Sequence, residues 1–250
     1  NIFLIFYLFY PYLLGHGFYN PKDIPFLCVW LISTYTSIKI FINIYEKRNI
    51  TLLNIIFLSF LTSLLISIRI SGILILLQYF IIFIITLSLI KESFFEILKI
   101  YFYKVLFFIF FSLLLILIFY PVFWKNPLLI FDSINQMRNI PYGVCTLTLG
   151  KCMDSLDLPS SYIFIWLFFK LPILSLIGLV LFPFVEKKIF SESLHQITLG
   201  SLALTVVSII FLLTFLKVNL YDELRHILFL FPLILVVTFS IIYFFSKKLL

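Results

Sequence analysis

The residues best equipped for chemistry fall in three short stretches of an otherwise apolar chain. The first, "GHGFYNPKDIPF" at 15–26, gathers His16, Asn20 and Asp23, side chains able to orient a hydroxyl-bearing ligand or hold a metal. Its plain alternative is a helix start, with Asp23 as the cap of a Pro-stiffened entry. The second, "ISIRISGILILL" at 66–77, puts Arg69 in the middle of a long apolar run. An arginine at such depth needs an anionic partner. A phosphate suits the guanidinium fork, and a lipid headgroup or a carboxylate such as Asp23 would serve equally.

The third stretch is "NLYDELRHILFLFP" at 219–232. Asp222 is placed to cap a helix, and Arg225 and His226 follow on one face of it. A helix N-terminus with two cationic side chains is an anion site; an ordinary cap with interfacial Arg and His accounts for the stretch equally well. Cys145 and Cys152 are close enough in sequence to form a local disulfide in an oxidising compartment, whereas Cys28 sits in an apolar span as a small packing residue. The chain has no GxxxxGK, GxGxxG, GxSxG or HExxH motif and no CxxC pair. Soluble nucleotide-binding, hydrolase and zinc-protease chemistries therefore have no anchor here.

The elements that must position these residues are membrane spans. Of 250 residues, 63% are hydrophobic and 12% charged, and the mean hydropathy is +1.20; a soluble domain carries about 25% charged residues. The pattern predicts an all-α, polytopic transmembrane bundle, since open sheet edges cannot be satisfied in lipid. Residues 1–14 read as the tail of one span. Complete spans are expected at 26–45, at 98–120, 161–184, 196–216 and 226–245, and twice within 50–90. A single helix over 50–90 would run about 60 Å, twice the hydrocarbon thickness, so a tight turn is expected at Ser67–Gly72. That makes seven complete crossings and one partial, in a single domain over 1–250. The chain begins with Asn inside an apolar run and reads as one lacking its N-terminal part.

Lys47-Arg48, Lys91, Lys187-Lys188 and Lys247-Lys248 mark the short loops of one side as cytoplasmic by the positive-inside rule. The net charge of +7 belongs to such flanks and gives no case for nucleic acid. The outer side then holds 15–25, the turn near 69, the long connection 121–160 and 217–225. Within 121–160, "NPLLIFDSINQM" has the spacing of an amphipathic helix lying on the membrane face. All acidic residues fall at span ends or in loops, which speaks against an ion-coupled transporter or flippase, whose midplane needs polar groups. Lys39 and Lys170 are the exceptions, both readable as snorkelling toward an interface.

Taken together and in order, "GHGFYNPKDIPF", "ISIRISGILILL" and "YDELRHILFLFP" resemble bacterial membrane glycosyltransferases of the GT-C superfamily. Within that superfamily they look like the protein O-mannosyltransferases and the aminoarabinose transferases of lipid A. "YPVFWKNPL" and "LPSSYIFIWLFFKLP" look like that family's outer loop and following span. The resemblance implies a hexosyl or pentosyl transferase of the cell envelope, in the bacterial plasma membrane with its site facing outward. The donor would be a polyprenyl-phosphate-linked sugar and the acceptor a membrane lipid, glycan or protein. It implies a general base, an Asp or Asp-Glu in the first outer loop, upstream of Asn1. Asp23 would support catalysis, with His16 and Asn20 beside it, and Arg69, Asp222, Arg225 and His226 would bind substrate. No cofactor is required by the resemblance; a divalent metal on Asp23 is compatible with it. A noncatalytic membrane subunit is the other reading the missing base leaves open.

Overall fold

The computed structural model describes residues 10–90, 94–126, 128–129, 131–133, 143–218, 220 and 222–249. The chain runs through α1 (Pro11–Tyr19), α2 (Asp23–Tyr45) and α3 (Leu52–Ile68). A 3-10 turn at Ile70–Leu74 leads into α4 (Ile75–Leu89), followed by α5 (Phe94–Phe119) and the short α6 (Val122–Lys125). A hairpin, β1 (Cys145–Thr148) and β2 (Lys151–Asp154), precedes α7 (Tyr162–Lys170) and α8 (Ile173–Phe190). The helical span α9 (Ser193–Phe215) contains a π-turn at Gln196–Gly200, and α10 (Leu230–Leu249) closes the chain.

Among the described residues, five helices are long and apolar enough to cross a membrane: Asp23–Tyr45, Ile70–Leu89, Lys99–Phe119, Ser193–Phe215 and Leu230–Lys247. The expected pair of spans within 50–90 separates at Arg69, although Leu52–Ile68 is the shorter partner. The single span expected at 161–184 is instead two helices, bent by 112°. Pro172 causes the break: it supplies no N–H and holds Leu171 extended, at φ −70° and ψ 141°. Count and type are corrected in two further places. Residues 15–19 are helical rather than loop, and a two-stranded hairpin stands in the all-α bundle. The amphipathic helix expected over 126–137 falls largely outside the described residues, as do residues 1–9 of the partial span.

In lipid, apolar side chains gain little by leaving their surroundings, so helices associate through close packing and interhelical hydrogen bonds. The contacts follow that rule. On α3, Ser63 donates to the Ser112 carbonyl of α5 at 2.9 Å, and Thr62 meets the Tyr79 hydroxyl of α4 at 3.1 Å. Gln78 of α4 donates to Thr34 of α2 at 3.0 Å. Between α8 and α10, a Cβ on Gly178 would lie 2.6 Å from the Thr238 carbonyl oxygen, and Thr238 donates to Ser175 at 3.1 Å. The Trp30 and Phe229 rings meet at 4.2 Å between centroids, tilted by 37°, fixing the residues just before α10 against α2.

The turn at Arg69 positions the site. Arg69 is extended (φ −153°, ψ 133°), which ends α3 and swings the chain into the 3-10 turn. A Cβ on Gly72 would lie 2.6 Å from the backbone carbonyl atoms of Leu65. Only glycine lets the hairpin fold back this tightly, and that closeness keeps Arg69 at the bundle end.

Candidate functional site

Asp23 sits at the first position of α2, with only 6% of its side chain exposed. It does not cap the helix. Asn20 does so from the preceding turn, its Oδ1 accepting from the Asp23 backbone N–H at 3.0 Å. The Asn20 amide nitrogen then donates to Asp23 Oδ2 at 2.8 Å and lies 3.2 Å from His16 Nδ1. One amide thus ties all three polar residues of the first stretch together. Burial lowers the His16 pKa, with the nearby Asp23 only partly opposing it.

Two arginines converge on the same carboxylate. Arg69 Nη1 donates to Asp23 Oδ1, and Arg225 Nε lies 3.3 Å from Asp23 Oδ2. Arg69 Nη2 also donates to His226 Nδ1; arginine has no acceptor, so that ring nitrogen carries no proton. The electrostatics agree: burial, then the Arg69 and Arg225 charges, push the His226 pKa down to about 3. His226 is a neutral imidazole at pH 7, so of the two cations expected in the third stretch only Arg225 is charged.

The helix cap expected at Asp222 is not formed. Arg225–Ile227 is a 3-10 turn, and α10 begins only at Leu230. Asp222 and Glu223 both adopt left-handed backbone, each with φ 59°, a conformation that costs about 1–2 kcal/mol for a residue with a Cβ. Each carboxylate takes a cation: Asp222 Oδ2 receives Arg225 Nη1 at 2.6 Å, and Glu223 Oε2 receives Lys170 Nζ at 2.6 Å. Lys170 therefore has an ionic partner and is not merely snorkelling. Its ammonium also lies 5.0 Å from the Tyr12 ring centroid and 5.1 Å from that of Trp166. Glu223, Tyr12 and Tyr162, whose hydroxyl donates to the Glu223 carbonyl at 3.2 Å, were not singled out by sequence. Lys170 was, as an intramembrane lysine just before Pro172, but its partner was not.

Two cavities share Lys22, Arg69 and His226. One of about 330 Å³ also meets Asn20, Asp23 and Arg225. The other, of about 390 Å³, adds Ser71 and Tyr120 and an apolar wall that includes Leu74, Leu213 and Phe229. Polar donors at one side and apolar side chains at the other suit an amphiphile with an anionic head. Among the described residues, no three His, Cys, Asp or Glu side chains gather to hold a metal, and two guanidiniums occupy Asp23 where a divalent cation would sit. Cys145 and Cys152, with sulfurs 2.06 Å apart, form a disulfide across the hairpin. The hairpin lies at the same end of the bundle as the site, since Trp166 of α7 donates to Thr148 at 3.3 Å while Lys170 of α7 reaches Glu223. Compared with known proteins, the chain matches no protein-family model, no curated protein and no solved structure.

Proposed function

We propose that this chain is part of a GT-C-like membrane glycosyltransferase that moves a sugar from a polyprenyl-phosphate carrier to an acceptor at the outer membrane face. The observation that carries the reading is the convergence of Asp23, Arg69, Arg225 and His226, from three separate stretches, beside two cavities, one lined mainly by these polar residues and the other polar on one side and apolar on the other. On this reading the bundle crosses the membrane seven times, with Leu52–Ile68 and the bent pair α7–α8 each counted as a crossing. The disulfide supports an outward-facing site, because such bonds persist in oxidising compartments.

The chemistry is an inverting displacement. A carboxylate supplied from upstream of Asn1 takes the proton of the acceptor hydroxyl as its oxygen attacks the anomeric carbon. The bond from that carbon to the phosphate oxygen breaks, and polyprenyl phosphate leaves with the electron pair. Its developing charge is met by Arg69 and Arg225. Arg69 spends one N–H on Asp23 and one on His226 out of five, so donors remain for a phosphate. Asp23, already engaged by two guanidiniums and Asn20, acts by holding those arginines in place rather than as a base. His16 sits behind Asn20 and Asp222 behind Arg225, both as supports of the binding residues. No divalent cation is needed for charge neutralisation in this scheme.

The test is turnover of polyprenyl-phosphate hexoses and pentoses by the full-length protein in proteoliposomes. A charge-assisted hydrogen bond is worth about 1.5–3 kcal/mol, so Arg225→Ala should lower turnover by roughly 10- to 100-fold. Arg225→Lys keeps the charge but loses the fork and should fall between. Turnover of Arg69→Ala, Arg225→Ala and Arg225→Lys proteins at the wild-type rate would overturn the assignment.

A further inference from the structure

A second cavity type lies at the far end of the bundle. The α2 helix carries Asp23 at one end; its other end, with α3, α4 and α5, walls a cavity of about 320 Å³. The wall is mainly apolar, including Ile40, Ile44, Ile55, Leu58, Phe83 and Phe108. Tyr79 also borders it, but its hydroxyl is taken by Thr62. An apolar cavity of about 150 Å³ already stays dry and takes up benzene. One twice that size is a place for hydrocarbon rather than water.

Charge defines the mouth. Lys104 lines the cavity, with its ammonium 5.3 Å from the Tyr101 ring centroid and 3.5 Å from Asn49 Oδ1. Neither neighbour carries a negative charge. The Asn49 contact brings the α2–α3 turn to the same place, and that turn holds Lys47 and Arg48 beside Asn49. Its one carboxylate, Glu46, pairs with Arg48 at 3.0 Å. Among the described residues of that turn, together with Lys104, three cations stand with one carboxylate beside the apolar slot.

We propose that this slot binds one acyl chain of an anionic phospholipid, with the phosphate-bearing headgroup held at Lys104 and the Lys47-Arg48 turn. The apolar wall selects a chain, and the basic rim selects the charge of the head. This site is separate from the Asp23–Arg69–Arg225 cluster and does not depend on the glycosyltransferase reading.

Native mass spectrometry of the full-length protein in detergent, with added phosphatidylglycerol or phosphatidylcholine of identical chains, tests it. The wild type should retain one phosphatidylglycerol in preference to phosphatidylcholine. Lys104→Gln should reduce that preference about five-fold, the factor expected for one lysine at an anionic lipid surface. Ile44→Trp, which fills the slot without changing charge, should lower retention of both lipids. Val207→Trp, on an exposed face of α9, should leave retention unaltered and controls for the added ring. Monomer elution and unfolding temperature identify any variant that fails to fold; for Ile44 the milder Ile44→Phe then replaces it. Equal retention of the two lipids by the wild type would overturn the proposal. So would an undiminished preference in Lys104→Gln, or unchanged retention in the folded slot-filling variant.

Discussion

Two interruptions of apolar sequence, at Arg69 and at Lys170, do similar jobs by different means. Each breaks a helix and delivers a cation to a carboxylate at the same end of the bundle: Arg69 to Asp23, Lys170 to Glu223. The first break depends on Gly72 and its close approach to Leu65; the second depends on Pro172. Their surroundings differ more than their geometry. Asp23 and Arg69 side chains are 6% and 14% exposed, whereas Glu223 and Lys170 are 33% and 26% exposed. A buried pair becomes costly when one partner is lost, because the other charge is left without water or counter-ion. A half-exposed pair forfeits little, since solvent takes over. The first break is thus a structural commitment and the second an adjustable latch.

The contrast can be broken most forcefully at Arg69. Arg69→Ala should destabilise the protein by about 3 kcal/mol, the low end for a broken buried pair, because Arg225 still faces Asp23. Chemical unfolding in detergent measures this, and restoring stability with the double variant Arg69→Ala, Asp23→Asn would locate the loss in the stranded carboxylate. At the turn itself, Gly72→Ala should cost about 2 kcal/mol by overpacking against the Leu65 backbone, with the Asp23–Arg69 pair loosened as a result. Comparing it with Gly17→Ala, whose Cβ meets nothing within 4 Å, separates crowding from any general effect of removing a glycine.

Titration sharpens the comparison on the buried side. His226 has a folded pKa of about 3, against an ordinary value of 6.5. Between those values the unfolded chain binds more protons than the folded one, so stability rises with pH. The contribution is complete above about pH 6.5 and is lost as pH falls toward 3, at up to about 1.4 kcal/mol per pH unit. His16 adds a slope of the same sign, its pKa being lowered by burial. Unfolding free energy measured between pH 7 and 4 should show a reduced slope in His226→Asn.

The smallest effect is expected at the second break. Lys170→Ala should cost less than about 1 kcal/mol, part of it from the lost contacts with Tyr12 and Trp166. Raising salt should weaken the wild type toward the variant, because a half-exposed pair is screened. The Asp23–Arg69 pair should respond far less. A Lys170→Ala cost equal to that of Arg69→Ala would erase the distinction between commitment and latch.

Much of the architecture was legible in the residues alone. Composition and apolar run length required membrane helices, because no other local structure satisfies the backbone in lipid at this hydropathy. Length alone demanded a turn within 50–90, and Arg69, Ser71 and Gly72 marked its place. The three stretches holding His16, Asn20 and Asp23, then Arg69, then Arg225 and His226 were identifiable as polar chemistry in an apolar chain; of their mutual contacts, only the Arg69–Asp23 pair was among the alternatives the residues offered. The 112° bend was harder to read: one proline does not announce whether a helix kinks or doubles back, since neighbouring helices decide which geometry packs.

Sequence by itself determined the class of fold, the ends at which charge accumulates and the residue types at the site. Those follow from local physics: span length, the cost of charge in hydrocarbon and the special needs of Gly and Pro. Only the tertiary structure decided which partner each charge takes. It put Arg69 and Arg225 on one carboxylate, made His226 an acceptor and so a neutral ring, replaced the expected cap at Asp222 with an Arg225 pair, and joined Lys170 to Glu223. Pairing energies depend on distance and burial, and both arise from segments far apart in the chain.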